Sequence, residues 1–357
     1  MLRVCGITFD HTINYGSCLQ AYALQTAIEK IKVEGEDCAY KLIPIKKCED
    51  WPESHSLIVE PWMRFFRKRF EPFEKEHLKF VQCKSIHDCG LLNDEMDVFT
   101  CGSDVIWNPD FNCGVDAFYL DFSKKYTFSY AASFGRTGIK VDERLKAKLL
   151  HIDQISVRDE NSANIVKSCT EMVPQIVVDP VLLLSCEEWN KVYEDSEIKK
   201  PYIFVYVTHL NDTIKKFIRN LLQKIGLKVI YSAYGPKQAL QLGMLQVHTP
   251  QKWLNLLCNA EYVVTNSFHA TAFSVLYHKK FFTVVHGEKS QGINVRMNDF
   301  LSTLGLNDRI FSSIPEEFDL DEIDYTYADA QLERLRKESL DFLQSNLKRA
   351  YQLKNKE

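Results

Sequence analysis

QISVRDENSANIVKSCTEMVPQIVVDP, residues 154–180, decides the fold. Gln154–Val157 and Gln175–Val178 are short runs rich in β-branched residues, Asp159–Cys169 between them has helical spacing, and a further helix is predicted over Asp142–Leu150. Short apolar strands alternating with helices require a parallel sheet covered on both faces, so this region is a doubly wound α/β domain. Two charged residues close its strands at the end where such sheets bind ligands, Arg158 and Asp179. A permanently charged guanidinium there suits a carboxylate or phosphate, or else forms an ion pair with Asp159 or Glu160. Asp179, before Pro180, orients a hydroxyl or caps a turn.

Working toward the N-terminus, Asp97–Gly135 has two strand-like runs, Val98–Cys101 and Thr127–Ala131, around a block dense in Gly, Ser, Asp, Asn and Pro. Gly102-Ser103-Asp104 there brings a tight turn, exposed backbone N–H groups and a carboxylate together. Trp107, Asn108, Asp110 and Asn112 add a stacking surface and polar handles of the kind that bind sugars; the plainer reading is a turn with a buried Trp. Leu2–Phe9 is a first strand, Ala39–Ile45 another. HTINYGS leads into a helix with Leu19, Tyr22, Ala23, Ala27 and Ile31 on one face. Asn14, Tyr15 and Gly16 then lie at a helix N-terminus, where free N–H groups attract anions or hydroxyls, or form a capping turn. Pro61–Phe80 gathers Trp62, Phe65 and Phe66 with Arg64, Arg67, Lys68 and Arg69. Such a stripe ordinarily packs its aromatics inward; contact with a membrane surface is the lesser reading.

Toward the C-terminus, Cys186–Lys200 is charged and ends before Pro201, and the alternation then restarts. Strands are predicted at Tyr202–Val207, Lys228–Ser232, Tyr262–Thr265 and Phe281–Val285, with helices at Thr213–Ile225, Pro250–Asn259 and Ala270–Tyr277. The expected organisation is an N-terminal α/β domain over 1–185, a linker over 186–200, a C-terminal α/β domain over 201–327 and a helix over 328–357 packing across both. Two Rossmann-like domains facing a cleft are similar to the glycosyltransferase-B arrangement. His269 follows the strand Tyr262–Thr265 at the start of a helix, where peptide dipoles favour a phosphate. An imidazole there can donate to that phosphate or take a proton from an attacking hydroxyl.

The chain has 357 residues, 45% hydrophobic and 26% charged, which fits a two-domain globular enzyme. A net charge of −4 argues against a general nucleic-acid binder. Eleven cysteines, odd in number and irregular in spacing, signal neither a disulfide framework nor a zinc site. Reduced thiols, a short apolar N-terminal run and no run of roughly 20 apolar residues lead to the expectation of a cytoplasmic protein, with any membrane contact peripheral. There are no repeats or low-complexity tracts.

Five pieces of wording, in this order, resemble the polysaccharide pyruvyl transferase family: ITFDHTINYGSCLQAYALQ (7–25), GSDVIWNP (102–109), FYLDF (118–122), SYAASFG (129–135) and TNSFHATAFS (265–274). The resemblance covers roughly residues 1–305. It implies transfer of pyruvate from phosphoenolpyruvate onto two hydroxyls of a sugar as a cyclic ketal, with no metal or other cofactor required. The implied catalytic residues are His269 and Asp104, the latter as acid or acceptor holder. Arg158, Ser267, His269 and Arg296 are the implied donor-binding residues. Asn14, Tyr15, Gly102, Ser103, Asp104, Trp107 and Asn108 are the implied acceptor-binding ones. Some family members carry Arg two residues before the His, where this chain has Ser267; Arg296 is the candidate replacement, Lys289 a weaker one, and His278 and His286 are surface or packing residues. The acceptor is expected to be a hexose of a surface-glycan precursor, lipid-linked in one version, which would place the enzyme at the inner face of the cell membrane. A nucleotide-sugar glycosyltransferase is the alternative on the same plan, and a non-catalytic glycan-binding module a third reading.

Overall fold

The computed structural model describes residues 1–10, 13–45, 60–83, 86–110, 115–193, 198–233, 247–285 and 291–356. Asn112, His286, Lys289 and residues 194–197 of the expected linker lie outside the described residues, as does the side chain of Trp62.

The first sheet contains β1 (Leu2–Ile7), β2 (Lys32–Val33), β3 (Glu36–Leu42), β4 (Val98–Cys101), β5 (Tyr126–Ala132), β6 (Gln154–Val157) and β7 (Gln175–Ile176), in the order β2-β3-β1-β4-β5-β6-β7. All neighbours are parallel except the two-residue edge strand β2, which pairs antiparallel with β3. The second sheet contains β8 (Tyr202–Val207), β9 (Lys228–Ala233), β10 (Tyr262–Thr265), β11 (Lys280–Val284) and β12 (Ile310–Phe311), in the order β12-β11-β10-β8-β9, all parallel. Chain order reverses between β1 and β4 in one sheet and between β8 and β10 in the other. At such switch points the loops leaving the carboxyl ends run in opposite directions, which is where doubly wound sheets bind ligands.

Side-chain caps fix the helix starts that were predicted. Asp142, Asp159, Asn211 and Thr249 each accept from the backbone N–H three residues on. One face of the first sheet is covered by helices Glu143–Leu150 and Glu160–Thr170. Its other face, with Val4, Phe128 and Tyr130, shares a continuous apolar core with Phe204, Tyr206 and Val263 of the second sheet. The two halves are thus cemented by a shared apolar core.

Part of the expected linker belongs to that cement. Residues Cys186–Asn190 form a helix with a capping box between Ser185 and Glu188, and Trp189 is fully buried, donating from Nε1 to the Val181 carbonyl at 3.0 Å. The final helix, Thr326–Lys354, starts beside β11, where Asp329 meets His278 and Tyr325 bonds the Lys279 carbonyl. It then runs back along the first sheet, with Ser339 bonded to Val178 N–H, Asn346 to Tyr126, and Lys354 to Asp97.

Helix Glu60–His77 turns Phe66, Phe70 and Phe73 inward and leaves Arg64, Lys68 and Arg69 exposed, so the packing reading holds for Phe66, while Phe65 stays exposed beside the cations. Among the described residues no helix is long and apolar enough to cross a membrane.

Candidate functional site

Five segments following strands of the first sheet and two following strands of the second converge on a buried polar cluster. After β6 comes Arg158. Its Nη1 donates to Asp179 Oδ2 at 2.6 Å and its Nη2 to Asp104 Oδ1 at 3.5 Å. Asp159 and Glu160 are not its ion-pair partners: Asp159 caps its own helix through Ser162 N–H and accepts from Ser133 Oγ at 2.6 Å. Asp179 both caps and binds. Its Oδ1 accepts from Val181 N–H, while Oδ2 accepts from Arg158 and from Ser103 Oγ at 3.1 Å.

Asp104 follows β4, where it pairs with Ala132 as an isolated bridge. Ser17 Oγ, from the first turn of helix Tyr15–Lys30, donates to its Oδ2 at 2.6 Å, and Val105 N–H to its Oδ1 at 2.8 Å. Gly102 makes this turn possible: its φ is +108°, and a Cβ would meet the Tyr130 carbonyl oxygen at 2.2 Å. Ser103 is locked, fully buried, by Asp179, by Gln20 on its N–H and by Thr8 on its carbonyl.

From the second half, Ser267 caps helix Phe268–Leu276 and so sets His269 in its first turn. Nε2 of His269 lies 3.5 Å from Asp179 Oδ2. Its ring rests on Gly16, where an added Cβ would stand 2.1 Å from Nδ1. Phe268 lies under the Arg158 guanidinium, 4.5 Å from the ring centroid. Arg296, in helix Gln291–Thr303, faces the same cluster with its Nε sealed from solvent.

The electrostatics follow from this crowding. Burial pushes the Asp104 carboxyl up, but His269, Arg158, the Ser17 hydroxyl and Arg296 outweigh it and hold the group below the usual range. Burial likewise works against Asp179, yet His269 and Arg158 hold it well down. Arg158 loses by burial and gains more from Asp179 and Asp104, ending above its ordinary value. Both carboxyls are therefore carboxylates, so Asp104 is not poised as the acid that the resemblance allowed.

Two implied acceptor residues are elsewhere. Trp107 is packed between Tyr119 and Phe134 and donates to the Phe118 carbonyl at 3.1 Å, leaving no face for a sugar. Tyr15 stacks on Trp253 at 5.1 Å, and its hydroxyl is consumed by His248 and Ser232 of the other half. Both rings went inward because a large apolar surface gains more by burial than by lining a wet crevice. Asn108 is buried and accepts from Asp110 N–H; Asn14 is half-buried and caps the first helix through Gly16 N–H. Asp179, flagged at its strand end as a hydroxyl-orienting or capping residue, joins the cluster in both roles, and Ser17 and Gln20 complete it without having been singled out. The SCLQ run after Gly16 was the available signal, since polar residues on the inner face of a buried helix need partners.

The sequence profile of polysaccharide pyruvyl transferases matches residues 14–288, a span containing every residue of this cluster except Thr8 and Arg296. The chain belongs to the polysaccharide pyruvyl transferase family. It is accordingly a transferase of polysaccharide biosynthesis. No curated protein sequence matches it significantly. Among solved structures, the family member is similar to Staphylococcus aureus MnaA with UDP, at 12% identity over 97% of this chain and 91% of the other, TM-score 0.50. It is equally similar to a Listeria monocytogenes structure described as a UDP-N-acetylglucosamine 2-epimerase, at 12% identity over 98% and 90%, TM-score 0.50. These likenesses establish the two-domain fold of glycosyltransferase-B type for this pyruvyl transferase relative, and nothing about its ligands.

Proposed function

We propose that the chain transfers pyruvate from phosphoenolpyruvate to two hydroxyls of a hexose in a surface-glycan precursor, forming a cyclic ketal and releasing phosphate. The observation that carries this reading is the array Arg158–Asp179–His269, which joins the carboxyl ends of both sheets through one carboxylate oxygen.

The donor brings a carboxylate and a phosphate into a buried site, so it needs fixed cations and dipoles. Arg158 offers a guanidinium whose Nε is buried without a partner, and His269 stands in the first turn of a helix. Protonation of the methylene carbon places positive charge on the adjacent carbon; a sugar hydroxyl adds there, the carbon–oxygen bond to phosphate breaks, and the second hydroxyl closes the ketal. One hydroxyl proton ends on the methyl group and the other on phosphate. His269 is the proton-transferring group in this scheme, with Asp179 orienting it, and Asp104 is the carboxylate that stabilises the developing cation or receives an acceptor proton. Ser17, Ser103 and Gln20 are positioning residues. The acceptor enters along the first half, past Asn14, and a lipid-linked precursor would bring the enzyme to a membrane surface.

The test is incubation with phosphoenolpyruvate and hexose glycosides, following phosphate release together with a ketal on the sugar by mass spectrometry and NMR. Thermal unfolding supplies the second arm: phosphoenolpyruvate at 100 times its dissociation constant should stabilise by about 2.7 kcal/mol. Stabilisation by a UDP-sugar and none by phosphoenolpyruvate would replace this reading with a nucleotide-sugar glycosyltransferase. Sugar binding with no phosphate release would replace it with a glycan-binding module.

A further inference from the structure

Arg158 and Arg296 reach one place from different halves of the chain. Arg158 lies over one side of Phe268 at 4.5 Å, and Phe300 packs against the same ring with centroids 5.4 Å apart. Phe300 is four residues beyond Arg296 on helix Gln291–Thr303, hence on the same helical face. Met297 fixes the rotation of that helix through its sulfur, 3.9 Å from Thr271 Oγ1 on the helix carrying His269. Arg296, one turn earlier than Phe300 on that face, lies within electrostatic range of Arg158, Asp104 and Asp179.

Arg158 has two carboxylates within 4 Å; among the described residues Arg296 has none, and its Nε is buried with no hydrogen bond. Burial and then the like charge of Arg158 bring Arg296 down to about 10. The charges of Asp104, Asp159 and Asp179 offset this only in part. A partly buried guanidinium beside another cation, with no carboxylate at ion-pair distance among the described residues, opposes folding, and nothing in its packing requires the charge.

We infer that Arg158 and Arg296 form a two-sided oxyanion slot across the junction of the halves, Arg296 being left unpaired to receive an anionic group of the ligand. Resting on the donor reading above, this makes Arg296 the second cationic contact for phosphoenolpyruvate, in place of the arginine absent at Ser267. A carboxylate or a phosphate can take either fork in bidentate fashion. The slot also makes the ligand a bridge: one arm belongs to β6, the other to the helix after β11.

The experiment is thermal unfolding and calorimetric titration of the full chain, wild type, Arg296→Gln and Arg296→Lys, with phosphoenolpyruvate, inorganic phosphate, and chloride at matched ionic strength. Wild type should be stabilised by phosphoenolpyruvate, less by phosphate and not by chloride. Arg296→Gln should melt at or above wild type without anion and bind phosphoenolpyruvate at least tenfold more weakly. Arg296→Lys should lie between the two. An Arg296→Gln protein that melts well below wild type in chloride, or binds phosphoenolpyruvate as wild type does, overturns the slot. If the Gln variant does not fold, the Lys variant decides: unchanged affinity overturns the inference, and a severalfold loss with an intact melting temperature upholds it. Anion binding lost in Arg296→Gln without turnover of phosphoenolpyruvate by wild type would upset the proposed reaction and leave the slot standing; equal turnover by both proteins would do the reverse.

Discussion

Oδ2 of Asp179 receives Nη1 of Arg158 at 2.6 Å and stands 3.5 Å from Nε2 of His269, so one oxygen couples a cation of the first half to the imidazole of the second. The two partners should respond differently to substitution. His269→Gln removes a proton-transferring group while keeping size and polarity, and turnover should fall about 10²–10⁴-fold with little change in melting temperature. Asp179→Asn leaves Arg158 buried with only the longer, 3.5 Å contact to the Asp104 carboxylate, and should cost about 3–5 kcal/mol of stability, measured by urea denaturation. A His269→Gln enzyme with wild-type turnover would remove His269 from the chemistry.

Gly16→Ala opposes two effects of known size. Alanine in a helix is favoured over glycine by roughly 1 kcal/mol. Here the added methyl would stand 2.1 Å from Nδ1 of His269, so the ring must leave Asp179. The clash should win: lower stability than wild type, and at least a tenfold loss of turnover, on the order of a hydrogen bond made only in the transition state. A more stable, fully active Gly16→Ala protein would show that the ring has another acceptable seat.

Falling pH and rising pH within the acid range should act through different carboxyls. Asp104 and Asp179 are held low, so the unfolded chain binds their protons first; the stability they contribute is full above the unfolded pKa and disappears as pH falls through the folded values. Asp299 behaves oppositely. Burial, then the charges of Asp159 and Glu160, raise it to about 6 against one backbone hydrogen bond. The folded protein therefore holds that proton longer than the unfolded chain, and stability should decline as pH rises from about 4 to 6. Urea midpoints across pH 3–8 should show the decline in wild type and lose it in Asp299→Asn.

Tyr15→Phe separates packing from ligand binding. The phenol donates to the His248 carbonyl and accepts from His248 N–H and Ser232 Oγ, and burial raises it to about 12. Removing the hydroxyl should cost about 1–3 kcal/mol, since the buried His248 N–H loses its acceptor. Acceptor affinity, read by the Michaelis constant for the sugar, should be unchanged; a large rise would return Tyr15 to the acceptor site.

The fold was readable because a buried parallel strand is a short apolar run and the helices between carry their own caps, both local properties. Val98–Cys101, Gln154–Val157, Tyr202–Val207 and Tyr262–Thr265 fall where periodicity puts them. Arg158, Asp104 and His269 were legible for a topological reason: each follows a strand, and the carboxyl ends are where such sheets bind. Partnership was not legible. Arg158 bypasses the adjacent Asp159 for Asp179, 21 residues on, because Asp159 is committed to capping. Trp107 and Tyr15 sit in segments whose Gly, Asn and Ser look like a binding loop, and only the packed core reveals that their rings face inward. The Trp189 helix was hidden in a charged stretch, since one large apolar residue has no period.

The last helix sets a schedule for the newly made chain. The N–H of Val178 waits for Ser339, 161 residues later, and the Leu182 carbonyl for Arg336, 154 later. At about 5–20 residues per second of synthesis, that wait is on the order of ten to thirty seconds. Throughout it the first sheet has emerged from the ribosome with the flank destined for Phe342, Leu343 and Leu347 uncovered. Nascent chains, rather than finished protein, are thus the population that chaperones must shield, and a premature stop within the final helix would leave them permanently in that state.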